Sequence, residues 1–350
     1  MPSAVPIGER QAGRTKDPRT VSHVREGQRN VEEVIEKAFQ GFAKNGGEEA
    51  AATLDAMRAG IRAEGDEAAA AAAIIGFLKS GRDVPTRLPF VVGAEGVMNS
   101  TPTLRTALLD LLPALDPHAA LDLAREIIRE TGSPDEYAMA LRNLAWNDLD
   151  GDLATELSAA FSRLLDRREW VEQPSAGFLE ALDIALEVPS PELFGRLSVI
   201  ASSRPSREND PLLHAVCMTL DRMVLRDAGL LVRWGRDPAW LAALPEQRAS
   251  LMSRLDPTDE PQLDLFLNYL ADPRISETER AKFVALFPNG NYLHGHRLVS
   301  SDEPTLSISE RQAMDAETLR ILSEVGNRAG KLAAELLARI RKRLEAEAGN

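Results

Sequence analysis

Apolar residues in this chain recur at helical spacing over most of its length. Tyr137, Leu141, Leu144 and Ala145 follow i, i+4, i+7, i+8, and Phe178, Leu182, Ala185 and Leu186 repeat the pattern. Leu263, Phe266, Leu267 and Leu270 give i, i+3, i+4, i+7. Such spacing lines one face of an α-helix and leaves the opposite face polar. Segments 48–64 and 66–80 are alanine-rich, with Leu54, Met57, Ile61, Ile74, Ile75, Phe77 and Leu78 supplying a core. Alanine favours helix and lets helix axes approach closely, so these two segments predict a tight helical pair. Strand-like alternation is confined to residues 88–92 and 292–299. The pattern predicts an all-α protein.

The helical stretches are punctuated by an Asp, Ser or Thr directly followed by Pro. This occurs at Thr101-Pro102, Asp116-Pro117, Ser133-Pro134, Ser190-Pro191, Asp210-Pro211, Asp237-Pro238, Asp256-Pro257 and Asp272-Pro273. The first residue is suited to cap a helix N-terminus, and Pro is suited to the first helical position. Marks fall 15 and 17 residues apart over 101–133, 20 apart over 190–210, and 19 and 16 apart over 237–272. One interval holds a helix and a turn, so two make a unit of roughly 32–40 residues. The stretch from Thr103 through Leu112, followed by Asp116-Pro117 and a second helix, resembles a repeat of the HEAT/armadillo-like α-solenoids. The resemblance runs over residues 48–287 and implies a curved stack of helix hairpins that binds other proteins along an extended surface. Residues 81–100 and 288–308 fit no such hairpin.

The chain thus divides into four regions. Residues 1–29 are rich in Pro, Gly and Ser and carry a charge of about +3, which predicts a basic arm, disordered or laid down as an extended strap. Asn30 with Glu33 forms a capping-box pattern that opens the helical-repeat body, residues 30–287. Residues 288–308 form a non-helical insertion, expected to pack beside the last helix. Residues 309–350 form a C-terminal capping helix, opened by Ser307 and Glu310. Its stripe, Leu322, Val325, Ala329, Leu332, Leu336, Ile340 and Leu344, reads as one long amphipathic helix over 309–348. The cluster Arg339, Arg341, Lys342 and Arg343 sits where cations favour the helix dipole.

Charge and composition narrow the function. The 350 residues carry 41 Lys and Arg against 54 Asp and Glu, a net charge of −13. An acidic chain is ill suited to coating nucleic acid or an anionic membrane, and an acidic body favours a basic or neutral partner. The single cysteine, Cys217, excludes an internal disulfide and a cysteine-based zinc cluster. It lies on an apolar helix and is expected to be an inert buried thiol. No apolar run reaches the roughly 20 residues of a membrane span. Without a signal-like segment at its start, the chain is expected in the cytoplasm.

No phosphate-cradling glycine loop, nucleophile elbow or paired-histidine zinc helix is present. One stretch departs from the helical background, running from Phe287 to Val299. Asn289-Gly290 signals a turn, and His294 and His296 fall on one face of an extended segment. Asn291, Tyr292, His294 and His296 are therefore the candidate binding residues. With Asp302 or Glu303 the histidines have the chemistry to ligate a divalent ion, while a structural loop with satisfied histidines needs no ligand, and no cofactor or metal is assigned. Trp146, Trp170, Trp234 and Trp240 read as inter-helix packing; the arginines beside Trp170 and Trp234 admit stacking on a base or a partner side chain. Three functions follow: a non-enzymatic scaffold binding a protein or peptide, a metal-dependent or hydrolytic enzyme centred on His294 and His296, and a nucleic-acid-repair protein. HEAT-like folds include repair glycosylases, but these need a basic groove that the net charge opposes.

Overall fold

The structure is a computed structural model that describes residues 18–45, 49–147, 151–204, 209–290, 295–300, 306–325 and 330–348. Among them 17 α-helices and one two-stranded sheet are formed, so the chain is all-α in class. No described helix is long and apolar enough to cross a membrane. Two compact units are built, one from Met1–Leu88 with Ser100–Ala120 and one from Pro89–Asn99 with Leu121–Asn350.

The first unit contains α1 (Pro18–Asn45), α2 (Ala50–Ala63), α3 (Glu67–Lys79) and α4 (Leu104–Leu115). Val31, Ile35, Ala38 and Phe42 make the buried stripe of α1, which packs on α2 and α3. Leu54, Met57 and Ile61 of α2 and Ala69, Ala70, Ala73 and Ile74 of α3 complete the core. The small residues let the axes approach: a Cβ on Gly60 would lie 3.0 Å from Cγ1 of Val34. Helix α1 starts at Pro18, so residues 18–29 are helical and not an extended strap; residues 1–17 lie outside the described part. Asn30 consequently sits inside α1 and caps nothing. Its amide donates to Glu64 Oε2 at 3.3 Å instead. Thr101-Pro102 also fails as a cap. Pro102 O accepts from Thr86 N at 2.9 Å, Thr101 O accepts from the Thr86 hydroxyl, and Pro85 bridges Thr103. With that dipeptide held extended, the cap passes to Thr103, whose side chain and Thr106 form a capping box.

The second unit opens at the strand-like 88–92 segment with β1 (Val91–Val92), paired with β2 (Met98–Ser100), at whose last residue the chain returns to the first unit. After α5 (Pro117–Glu130), across which the unit boundary falls, come α6 (Pro134–Trp146), α7 (Ala154–Asp166), α8 (Arg168–Glu172) and α9 (Ala176–Ala181). Helix α9 tightens into a 3-10 turn over Leu182–Leu186. Then follow α10 (Pro191–Ser202), α11 (Pro211–Arg226), α12 (Gly229–Trp234), α13 (Pro245–Met252), α14 (Glu260–Ala271) and α15 (Glu277–Leu286). Contacts join α6 to α9, α9 to α11, α11 to α13 and α13 to α15, and likewise α10 to α12 and α12 to α14. From α9 to α15 most helices therefore pack on the one two places along, and α6 on the one three along, as well as on sequence neighbours such as α10 on α11.

Ser133, Ser190 and Asp210 cap α6, α10 and α11 as their sequence suggests, and Asp116 Oδ1 accepts from Ala119 N at 2.9 Å at the start of α5. Asp237, Asp256 and Asp272 do not start helices. Their carboxylates accept from the amides of Ala239, Thr258 and Arg274, at 2.8, 2.8 and 2.9 Å. Each bond joins a side chain to the amide two residues on, closing an Asx turn, and the following helix begins only later.

The C-terminal region is two helices, α16 (Ile308–Val325) and α17 (Gly330–Ala348), packed on each other; a single long helix is not formed. Gly330 has φ +78°, a left-handed conformation that breaks the helical path. Ser307 and Glu310 make the expected capping box. The basic cluster serves tertiary contacts beyond the dipole: Arg339 donates to Ala285 O at 2.7 Å, and Arg343 pairs with the buried Asp315.

Candidate functional site

The insertion is pinned at its start. Asn289 N donates to Ser253 O at 2.9 Å, and Asn289 O accepts from Arg254 Nη1 at 2.9 Å. Of the four residues singled out above, Asn291, Tyr292 and His294 lie outside the described residues, as do Asp302 and Glu303. His296 is described, and its Nδ1 lies 3.0 Å from Glu180 Oε1.

The rest of the segment is held by two groups that no local motif announces. Glu180 on α9 and Asp183 on the 3-10 turn are three residues apart and share a face. Asp183 accepts from the amides of Val299 and Ser300 at 2.9 and 2.8 Å, from the Ser300 hydroxyl, and from Arg222 Nη1 of α11 at 2.7 Å. The same Arg222 nitrogen donates to His296 O at 2.7 Å. Leu298 is fully buried. Its carbonyl comes so close to Gly96 that a Cβ there would lie 2.4 Å from the oxygen; Gly96 also has φ +76°. Residues 295–300 of the insertion thus pack on α9, the 3-10 turn and α11. Asn289 packs at the end of α13, while Arg343 of the last helix reaches Phe287 O just before it. Backbone amides without a helix or sheet partner need acceptors, and Glu180 and Asp183 supply them. Among the described residues no group of three His, Cys, Asp or Glu side chains converges as a metal site.

A second buried polar cluster joins α13, α14 and α15. Arg248 Nε on α13 donates to Glu279 Oε1 on α15 at 2.8 Å, and the Tyr269 hydroxyl donates to the same oxygen at 3.0 Å. Burial pushes the Glu279 carboxyl above its usual range against the attraction of Arg248, and pushes the Tyr269 hydroxyl far upward. Between the two clusters, Arg254 pairs with Asp221 of α11.

Cys217 is half-buried, at the edge of an open cavity of about 750 Å³ that also involves His214 and Gln247. Burial, with Asp221 adding to it, pushes its thiol up to about 12, so it stays protonated and weakly nucleophilic at neutral pH. The tryptophans pack. Trp240 donates to Ser198 Oγ at 3.0 Å and stacks on Phe194, while Trp170 meets Tyr137 edge-on at 5.4 Å. Trp234 donates to Pro191 O at 3.1 Å, and Arg142 lies 4.0 Å from the Trp146 ring.

Asp210 yields a pH prediction. Burial raises its carboxyl, but Arg204 and the amides of Leu213 and Leu212 outweigh that and hold it below the usual carboxylate range. A folded value below the unfolded one contributes stability at neutral pH that is lost as pH falls through the folded value. Asp210→Asn keeps a competent cap and removes only the charge. Denaturant titration should find it about 2 kcal/mol less stable than the parent at pH 7, with the gap closing below about pH 4.

Comparison of the chain with protein-family models, with curated proteins and with solved structures finds no match in any of the three.

Proposed function

We propose that the chain is a non-enzymatic helical-repeat protein of the α-solenoid kind that binds a protein or peptide partner. The observation that carries this reading is a series of acid–arginine rungs near repeat spacing. Asp183–Arg222, Asp221–Arg254 and Arg248–Glu279 tie the turn after α9 to α11, α11 to the residues just past α13, and α13 to α15, at sequence separations of 39, 33 and 31. Asp166 of α7 pairs with Arg196 of α10, and Arg236, just past α12, pairs with Asp264 of α14, at separations of 30 and 28. Two of these separations, 39 and 33, fall within the roughly 32–40 residues of a two-helix unit, and the other three are somewhat shorter. In paired-helix repeats each unit buries its apolar face against its neighbours. Stacking of this kind leaves grooves between successive helices. One, of about 540 Å³, involves Leu165, Val199 and Trp234, and Val199 is 68% exposed beside it. A net charge of −13 favours protein over nucleic acid as the partner.

Peptide-display selection on the immobilised full chain tests the proposal. Enrichment of related sequences over bare support, with saturable micromolar binding of a resynthesised member, is the expected result. No enrichment over bare support would overturn it.

A further inference from the structure

The cavity bordered by the ends of α12 and α14 and by α13 has a volume of about 570 Å³ and an arginine-rich wall: Arg236, Arg248 and Arg274, with Asp272 as the acid among them. That stands out in a chain of net charge −13.

The decisive group is Arg248, whose side chain is only 8% exposed. Its Nε is engaged by Glu279 and its Nη1 donates to Pro238 O at 3.0 Å. Its Nη2 makes no hydrogen bond: the acid oxygen facing it, Asp272 Oδ2, is 4.0 Å away, beyond hydrogen-bond reach. Asp272 is held elsewhere, by the guanidinium of Arg274 through Nε and Nη2 at 2.8 and 2.9 Å. That edge of the guanidinium opens to the cavity and has no hydrogen-bond acceptor from the protein, and a carboxylate is the acceptor that suits its geometry.

Resting on the reading of the chain as a peptide-binding repeat protein, we infer that this cavity takes a carboxylate side chain of the partner peptide, received by Arg248 and flanked by Arg236 and Arg274. The flanking arginines are more than half exposed, and the pair that Arg236 makes with Asp264 is exposed on both sides. Exposed pairs contribute little, so Arg236 can turn to an incoming acid at small cost, while Arg274 adds its charge from its place on the largely buried Asp272. Leu265, Pro238 and the Tyr269 ring give the apolar wall against which the stem of the acidic residue packs. The acidic field of the whole chain repels a polyanion. The partner segment therefore carries one acidic residue in an otherwise neutral or basic context.

The test uses two display pools, identical except that the central position is fixed as Glu in one and Gln in the other, with randomised flanks. Both are selected on the full chain and on the Arg236→Gln, Arg274→Gln double variant, whose altered side chains are each more than half exposed and whose fold is checked by circular dichroism. On the parent the Glu pool should be enriched about tenfold or more over the Gln pool, the scale of one charge-assisted hydrogen bond. On the double variant that preference should fall several-fold. Equal enrichment of both pools on the parent overturns the carboxylate assignment while leaving peptide binding intact. An unchanged Glu preference on the double variant overturns the assignment to this cavity. Failure of both pools to exceed bare support removes the peptide-binding reading itself.

Discussion

Asp183→Ala should lower the stability of the second unit by about 4 kcal/mol, the cost of leaving one partner of a buried ion pair uncompensated. Arg222 would remain 3% exposed with its carboxylate gone, and the amides of Val299 and Ser300 would lose their common acceptor. The segment after His296 should then come away from α11. Limited trypsin digestion reads this out as faster cleavage after Arg297. The double change Asp183→Leu with Arg222→Met separates this clasp from a simple ion pair. Exchanging both members of a simple pair for apolar residues of similar size restores much of the loss. Here it should not, because the two amides stay unsatisfied. Recovery of parental stability and trypsin resistance in the double variant would contradict the clasp.

Phe283→Ala should be comparably damaging, at about 4 kcal/mol. Its ring is fully buried, 5.0 Å from Tyr269, 5.5 Å from Phe287 and 6.3 Å from Phe266. Truncation removes three ring contacts at once and opens a cavity where α14 and α15 meet. Phe283→Leu keeps most of the volume and should cost about 2 kcal/mol. Urea denaturation of both variants, followed by circular dichroism, checks the order. Equal losses for Ala and Leu would mean that shape at this position does not matter.

The helical class was legible because 3.6-residue periodicity and Ser or Asp caps are local properties. Ser133, Ser190, Asp210 and Ser276 each accept from an amide two or three residues on and open a helix. The same Asp-Pro signature at 237, 256 and 272 closes an Asx turn instead, and nothing local distinguishes the two outcomes. The stripe across α16 and α17 read as one helix because the apolar spacing continues past Gly330, where the backbone turns left-handed. The start of α1 is hard to read because residues 18–29 hold only Val21 and Val24 as apolar side chains, and among the side chains described the buried apolar stripe runs from Val31.

At the candidate site, the turn after Phe287 and the His-x-His pair were visible. The groups that hold His296 and Ser300 were not: Asp183 lies 117 residues from Ser300, and Arg222 lies 74 from His296. Glu180 and Asp183 at i, i+3 were a signal within reach, since two acids on one face of a largely apolar segment ask for partners. The arginine-rich cavity was hidden by the net charge, which averages away a local cluster drawn from Arg236, Arg248 and Arg274.

Binding without turnover is tested most directly by calorimetric titration of a selected peptide into the full chain, with the mass of the recovered peptide measured afterwards. Saturable binding at one peptide per chain, with the peptide recovered at unchanged mass, is the predicted result. A cleaved or modified peptide, or heat that never saturates, would contradict it.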